Sequence, residues 1–169
     1  AGDLRGDLAG RQHQFAQVVG IEGREENLAK ARFARDCLGL ANFDLRQGDV
    51  RRVSPDREGR FDVTLCLGIL YHIEDPALFD FVMTLGRMTT RLLVVDTHVA
   101  LRGKTTVRWE GADWNGRRMI EHAPGSTPDQ VRDRRWSSLD NPTALWLTEA
   151  SLLKLLTRAG FTSIHLCKA

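Results

Sequence analysis

The chain reads as an α/β protein with a doubly wound, mostly parallel sheet. Three observations carry that reading. Short apolar runs ending in an acid occur at 17–22 and 92–96. Segments with helical spacing alternate with such runs, and strand–helix alternation builds a parallel sheet because each crossover returns the chain to the same end. The length, 169 residues, suits one domain with one core.

The elements follow in order. Gln17-Val18-Val19-Gly20-Ile21-Glu22 is a buried strand. Residues 24–39 are a helix, with Leu28, Ala31, Arg35 and Leu38 on its inner face and Gly39 as its C-terminal cap. Residues 42–47 alternate, with Phe43 and Leu45 on one side, and lead into Gln47-Gly48-Asp49-Val50. After a polar loop, 61–68 is apolar enough for an interior strand. Asp75 then Pro76 is a helix start, Asp75 as N-cap and Pro76 at the first position. Leu78, Val82 and Leu85 are that helix's buried stripe. Residues 92–96 form another buried strand. Thr148 caps a last helix with Leu152, Leu155, Leu156 and Ala159 inward, Gly160 stops it, and 161–166 return as a strand.

Residues 101–147 stand apart. They hold all four tryptophans, Trp109, Trp114, Trp136 and Trp146, and no period organises them. A loop this long in a compact domain is expected to be a lid or substrate element. The whole chain is therefore expected to be a single domain, 1–169, with 101–147 as an insertion.

Composition narrows the function classes. Hydrophobic residues make up 42% and charged residues 27%, which excludes wholesale disorder, collagen and coiled coil. No apolar run approaches the roughly 18 residues that span a bilayer, and no membrane partner is expected. A net charge of +2 is too small to argue for nucleic acid by itself. Cys37, Cys66 and Cys167 are far apart and odd in number, so neither a disulfide framework nor a metal site is expected. A reducing, cytoplasmic compartment is the default.

Ligands of open parallel sheets bind beyond the carboxyl ends of the strands. Glu22, Asp49, residues 68–72 and Asp96-Thr97-His98 fall at such ends. A carboxylate accepts two hydrogen bonds side by side and so suits the paired hydroxyls of a ribose. An Asp on the neighbouring strand suits an adenine amino group. Together they ask for an adenosine ligand. Each residue also has a plainer role: Glu22 as a solvated acid, Asp49 as a turn residue, His72 as a loop histidine, Cys66 as an inert core thiol.

Val18-Val19-Gly20-Ile21-Glu22-Gly23, Gln47-Gly48-Asp49-Val50 and the stretch from Phe61-Asp62-Val63 to Leu70-Tyr71-His72-Ile73-Glu74-Asp75-Pro76, in this order, resemble the class I S-adenosylmethionine-dependent methyltransferases. Trp146-Leu147-Thr148 through Ala159-Gly160-Phe161 continues the match. The resemblance implies a Rossmann-like fold, methyl transfer and S-adenosylmethionine as cofactor. It implies that Glu22 holds the ribose hydroxyls, Asp49 the adenine amino group and Val50 the ring face. Leu67 and Gly68 would face the methionine part, and His72 would sit at the mouth of the transfer site as the catalytic residue. Gly6, with Gly10, would belong to the glycine-rich first loop.

That loop departs from the family pattern, since Arg5 and Asp7 flank Gly6 and only Ala1 and Gly2 precede Asp3. The closing hairpin has room for one strand. The sheet is accordingly expected to be incomplete at both ends, with self-association through open edges. The expected acceptor is a small molecule. RNA is a secondary expectation, resting on Arg132, Arg134 and Arg135 beside Trp136. The alternative function is a remnant that has lost cofactor affinity. Nicotinamide-dinucleotide binding is disfavoured because no Gly-x-Gly-x-x-Gly precedes Glu22.

Overall fold

The structure is a computed structural model that describes residues 17–167. The expected role of Gly6 lies outside these residues. The chain forms two compact units, one ending at Arg52 and the other beginning at Val53.

The first unit is a β-α-β turn of chain. Strand β1 (Val18–Glu22) pairs in parallel with β2 (Phe43–Gln47), in register from Val18 opposite Phe43 to Glu22 opposite Gln47. Helix α1 (Glu25–Leu38) connects them. Glu25 and Glu26 lie in its first turn, where the helix dipole favours acids. Gly39 ends it in the left-handed conformation, at φ 64°. The expected inner face holds at Leu28, which is fully buried, and fails at Leu38, which is 64% exposed. Ten residues at 3.6 per turn leave Leu38 about 80° away from Leu28 around the axis. A 3-10 turn (Val50–Arg52) follows β2.

The second unit opens with the short helix α2 (Pro55–Glu58), capped by the Ser54 hydroxyl. Strand β3 (Phe61–Leu67) pairs in parallel with β4 (Thr89–Asp96), and α3 (Ala77–Met88) joins them. Leu78, Val82 and Leu85 are buried on α3 as expected, with Phe79, Phe81 and Met88. The helix start differs from expectation. Pro76 is the N-cap residue, and Asp75 gives the helix no side-chain cap. Backbone carbonyls meet the first amides instead, Leu78 donating to Glu74 and Phe79 to Pro76. The Asp75 carboxylate pairs with Arg118 at 2.6 Å.

Burial of β3 and β4 is one-sided. Cys66 is buried, whereas Leu65 is 62%, Leu67 50% and Leu92 52% exposed. The expected burial on both faces fails at these residues. Alternate side chains point to opposite faces, and α3 covers one.

Residues 101–147, expected to lack periodic structure, instead hold an antiparallel sheet. Strands β5 (Thr105–Trp109), β6 (Ala112–Ile120) and β7 (Thr143–Leu147) lie in the order β5-β6-β7. Glu110 and Gly111, at φ 44° and 76°, make the two-residue turn between β5 and β6. Positive φ at both positions matches the twist of a tight hairpin. Between β6 and β7 lies α4 (Pro128–Asp133), which starts with a capping box formed by Thr127 and Gln130. Thr148 caps the last helix, α5 (Glu149–Arg158), as expected.

The core of this unit is aromatic. Trp114 and Phe79 are fully buried. Phe79 stacks on Trp109 at 5.0 Å and 16°, with Trp114 at 5.4 Å. Helices α3 and α5 touch at Gly86, where a side chain would collide with the Ala159 carbonyl. Residues 161–167 carry no regular structure. The strand expected at 161–166 is absent because this backbone finds no ladder partner among the described residues.

Candidate active site

In the first unit, β1 and β2 deliver Glu22 and Asp49 to the same end of a parallel pair. The Gly48 amide donates to the Glu22 carbonyl at 3.0 Å, which closes the strand ends together. The Glu22 side chain accepts from the Arg24 amide at 2.8 Å on one oxygen. Its other oxygen lies 3.5 Å from the Asn27 side-chain amide. That oxygen retains most of its capacity as an acceptor.

Asp49 is more fully engaged. It accepts from the Arg51 amide and the Arg51 Nε, each at 2.9 Å, and pairs with the Arg51 guanidinium at 2.8 Å. Burial pushes its carboxyl up, but the Arg51 hydrogen bonds and the charges of Arg51 and Arg52 outweigh it and hold the group below its ordinary value. Asp49 therefore shapes its own turn, and any ligand amino group must share it with Arg51. Val50, half-buried, follows in the 3-10 turn.

In the second unit, β3 and β4 end side by side, Leu67 opposite Asp96. Gly68 takes φ 68° and donates its amide to the Asp96 carbonyl at 3.0 Å. A 3-10 turn (Leu70–His72) follows. It places the Tyr71 ring 4.2 Å from His72 and 4.3 Å from His98. His98, just beyond β4, stacks on Trp146 at 4.8 Å.

This turn is gripped from residues 121–147. Trp146 Nε1 donates to the Tyr71 carbonyl at 2.8 Å. Asn141 Nδ2 donates to the His72 carbonyl at 2.9 Å, and the Leu145 amide to the Ile73 carbonyl at 3.0 Å. The His72 side chain meets Glu121, with Nδ1 3.0 Å from each carboxylate oxygen. The Glu121 side chain is 7% exposed, and its Oε2 also accepts from the Ser138 amide at 2.7 Å.

Sequence reasoning singled out His72 and missed Glu121, Ser138 and Asn141. Glu121 lies 49 residues from His72. The local signal was thin: an acid directly after Met119-Ile120, with no periodic pattern to mark it as inward. Cys66, expected as an inert core thiol, is buried, and burial pushes its thiol up to about 11.

Residues 1–105 match a family described as a methyltransferase domain. The chain belongs to that family. The expected class I S-adenosylmethionine-dependent methyltransferase relationship is thereby borne out, as is the Rossmann-like fold. The chain superposes on the N-terminal domain of EvdMO1 with SAH bound at TM-score 0.70 and 28% identity, over 93% of this chain and 60% of that one. An S-adenosylmethionine-dependent methyltransferase from Mesorhizobium loti, 15% identical, shares the fold at TM-score 0.56 over 95% and 71% of the two chains. Ubiquinone biosynthesis O-methyltransferase from Pseudomonas aeruginosa is 40% identical over 62 residues, 37% of this chain. The chain spans about a quarter of the length of the curated relatives it matches, 26%.

Proposed function

We propose that this chain transfers the methyl group of S-adenosylmethionine to a small-molecule acceptor. The observation that carries the proposal is the pair of strand-end carboxylates, Glu22 and Asp49, on neighbouring parallel strands. Glu22 fits the cofactor, because one of its oxygens is only weakly engaged. Asp49 fits less freely, since Arg51 already occupies it. The bound cofactor supplies an electrophilic sulfonium methyl group. The chain supplies alignment, and exclusion of water from the reacting atoms.

Gly68 and Leu67 are assigned to the methionine end of the cofactor, and the turn carrying Tyr71 and His72 to the acceptor. Residues 101–147 are assigned as the substrate element. Support comes from their grip on that turn, since four of its contacts originate at Glu121, Asn141, Leu145 and Trp146. Two relatives frame the acceptor: one is an O-methyltransferase by name, and EvdMO1 was crystallised with SAH and D-fucose. D-fucose is therefore the first probe. Cys37, Cys66 and Cys167 are all free thiols, which supports a reducing, cytoplasmic compartment. No helix of the described residues is long and apolar enough to cross a membrane.

Calorimetric titration with S-adenosylhomocysteine tests the reading. Saturable binding is expected. Absence of binding at millimolar ligand would leave the remnant alternative in its place.

A further inference from the structure

We infer that Arg117, Trp146 and His98 form a binding row for an acceptor that carries an anion, a carboxylate or a phosphate, on a ring. This rests on the methyl-transfer reading and adds a substrate class to it. The row follows from strand register. Arg117 on β6 stands directly opposite Trp146 on β7. On the other edge of β7, Ala100 bridges Thr148 in parallel, and its amide donates to the Leu147 carbonyl at 2.9 Å. Two residues back along each of these lines, His98 lies beside Trp146, and the two rings stack at 4.8 Å and 26°. Facing residues of neighbouring strands project from the same side of a sheet. A cation, an indole and an imidazole therefore stand side by side, with the Tyr71 ring beyond them, 4.3 Å from His98.

The row has a wall and an unanswered charge. Residues 101–103 carry the chain from the free edge of β7 across β7 and β6 to β5. Gly103 lies so close over that face that a Cβ on it would come within 3.1 Å of Asn115 Cβ and 3.5 Å of the Thr148 methyl. Asn115 and Thr148 are each two residues along from Arg117 and Trp146, so the crossing backbone flanks the row on one side. Three arginines lie on β5 and β6, and two are neutralised: Arg108 by Asp113 at 2.9 Å, and Arg118 by Asp75 at 2.6 Å. Arg117 is exposed and has no hydrogen bond or ion pair among the described residues. Lys104, also exposed, is a second cation without an acidic partner among them. Its amide donates to the carbonyl of Gly116, the residue before Arg117, at 2.8 Å.

The chemistry of the row selects its ligand. An arginine fork matches two oxygens of a carboxylate or phosphate and gives them paired, charge-assisted hydrogen bonds. An aromatic side chain offers an apolar surface to a ring. Arg117 supplies a charge for which no acid of the described residues competes. The Trp146 indole is already fixed, because its N–H is given to the Tyr71 carbonyl at 2.8 Å. His98 comes just past β4, beyond the strand ends where Leu67 faces Asp96. A ring held in the row is thus presented at the carboxyl edge, where parallel sheets take their ligands. Arg117 and Trp146 are binding residues; the row moves no proton.

Two matched pairs of probes test the row on the 169-residue chain: benzoate against benzamide, and D-fucose 1-phosphate against D-fucose. The Trp146 indole N–H resonance, assigned by its loss in Trp146→Phe, reports occupation of the row. A saturable shift is expected with at least one anion, and its neutral counterpart should bind roughly tenfold more weakly, the lower end of the range for hydrogen bonds to a charged group. Preference for benzoate alone supports a carboxylate on the acceptor, and preference for the sugar phosphate alone a phosphate. Arg117→Gln should abolish the preference, and Arg117→Lys should restore part of it. Equal binding of an anion and its neutral counterpart in both pairs, no shift with any of the four at millimolar concentration, or an undiminished preference in Arg117→Gln would each overturn the row. Titration of the same sample with S-adenosylhomocysteine separates the two readings, because its expected ligands, Glu22 and Asp49, are other residues. Cofactor binding with no anion preference sinks the row and keeps methyl transfer. Anion preference with no cofactor binding sinks methyl transfer, and with it the row's service to an acceptor.

Discussion

Trp146 and Tyr71 are 75 residues apart and share a hydrogen bond of 2.8 Å, indole N–H to backbone carbonyl. The bond fastens the 3-10 turn after β3 to the last strand of the antiparallel sheet. The same indole stacks on His98 at 4.8 Å. One side chain thus joins β7 to the ends of both β3 and β4.

Trp146→Phe keeps an aromatic surface for His98 and removes the donor. The Tyr71 carbonyl is then left to find water or go unpaired, at a cost of about 1–3 kcal/mol. Urea unfolding should show that loss as a lower midpoint with an unchanged slope. An unaltered midpoint would mean the turn is held by Glu121, Asn141 and Leu145 without help from Trp146.

Glu22→Ala should weaken S-adenosylhomocysteine binding by about 1.5–3 kcal/mol, the range for hydrogen bonds to a charged group. Calorimetry on the folded variant measures it. Equal affinity would remove Glu22 from the ribose site.

Asp49 gives a pH signature. Burial raises its carboxyl, and Arg51 more than compensates, so the folded value lies below the ordinary 3.8. A depressed folded value means the contribution to stability is complete above pH 3.8. It is lost as pH falls from there through the folded value. Asp49→Asn should therefore unfold with a smaller difference between pH 6 and pH 3 than the parent does. Parallel curves for the two proteins would show that the Arg51 contact carries no linkage.

The cysteines should separate by reactivity. Cys37 and Cys167 are exposed, and Cys66 is buried with its thiol pushed up to about 11. At pH 8 only roughly one Cys66 in a thousand is thiolate, and the thiolate is the reacting form. Ellman titration of the native chain should count two thiols quickly and the third only on denaturation.

Trypsin should cut first between β6 and β7, after Arg132, Arg134 or Arg135, beside the 92% exposed Trp136. The strands themselves should resist, because their backbone amides are paired. If 101–147 is the substrate element, cofactor with acceptor should slow that cut. Cleavage indifferent to ligand would argue for a purely structural sheet.

The parts of this fold that were legible in sequence are those whose burial is local and periodic. Val18 to Glu22 shows itself as an apolar run, and Leu78, Val82 and Leu85 recur at the helical interval. Thr148 announces α5 because a cap is a contact three residues long. Strand β6 hid because its inward positions include Gly116 beside Trp114, while Arg117 and Arg118 break the polar–apolar alternation. Asp75 had two partners to choose between, and the distant one, Arg118, prevailed. In the site, strand-end acids are visible because strand ends are. Glu121 was not, since its two recipients, His72 and Ser138, stand 49 and 17 residues away.

The Glu110–Gly111 turn bears on the order in which the molecule assembles. Hairpins close in about 1–10 μs, since their partners are near neighbours in the chain. The β5–β6 ribbon can therefore form early. Strand β7 joins it only after 121–142 have been looped out, and the turn holding His72 docks through contacts 49 to 75 residues apart in the chain. Long-range contacts that wait on such closures form late. A half-folded chain thus carries its ribbon with the Leu70–His72 turn still undocked, and that docking is one of the last events of folding.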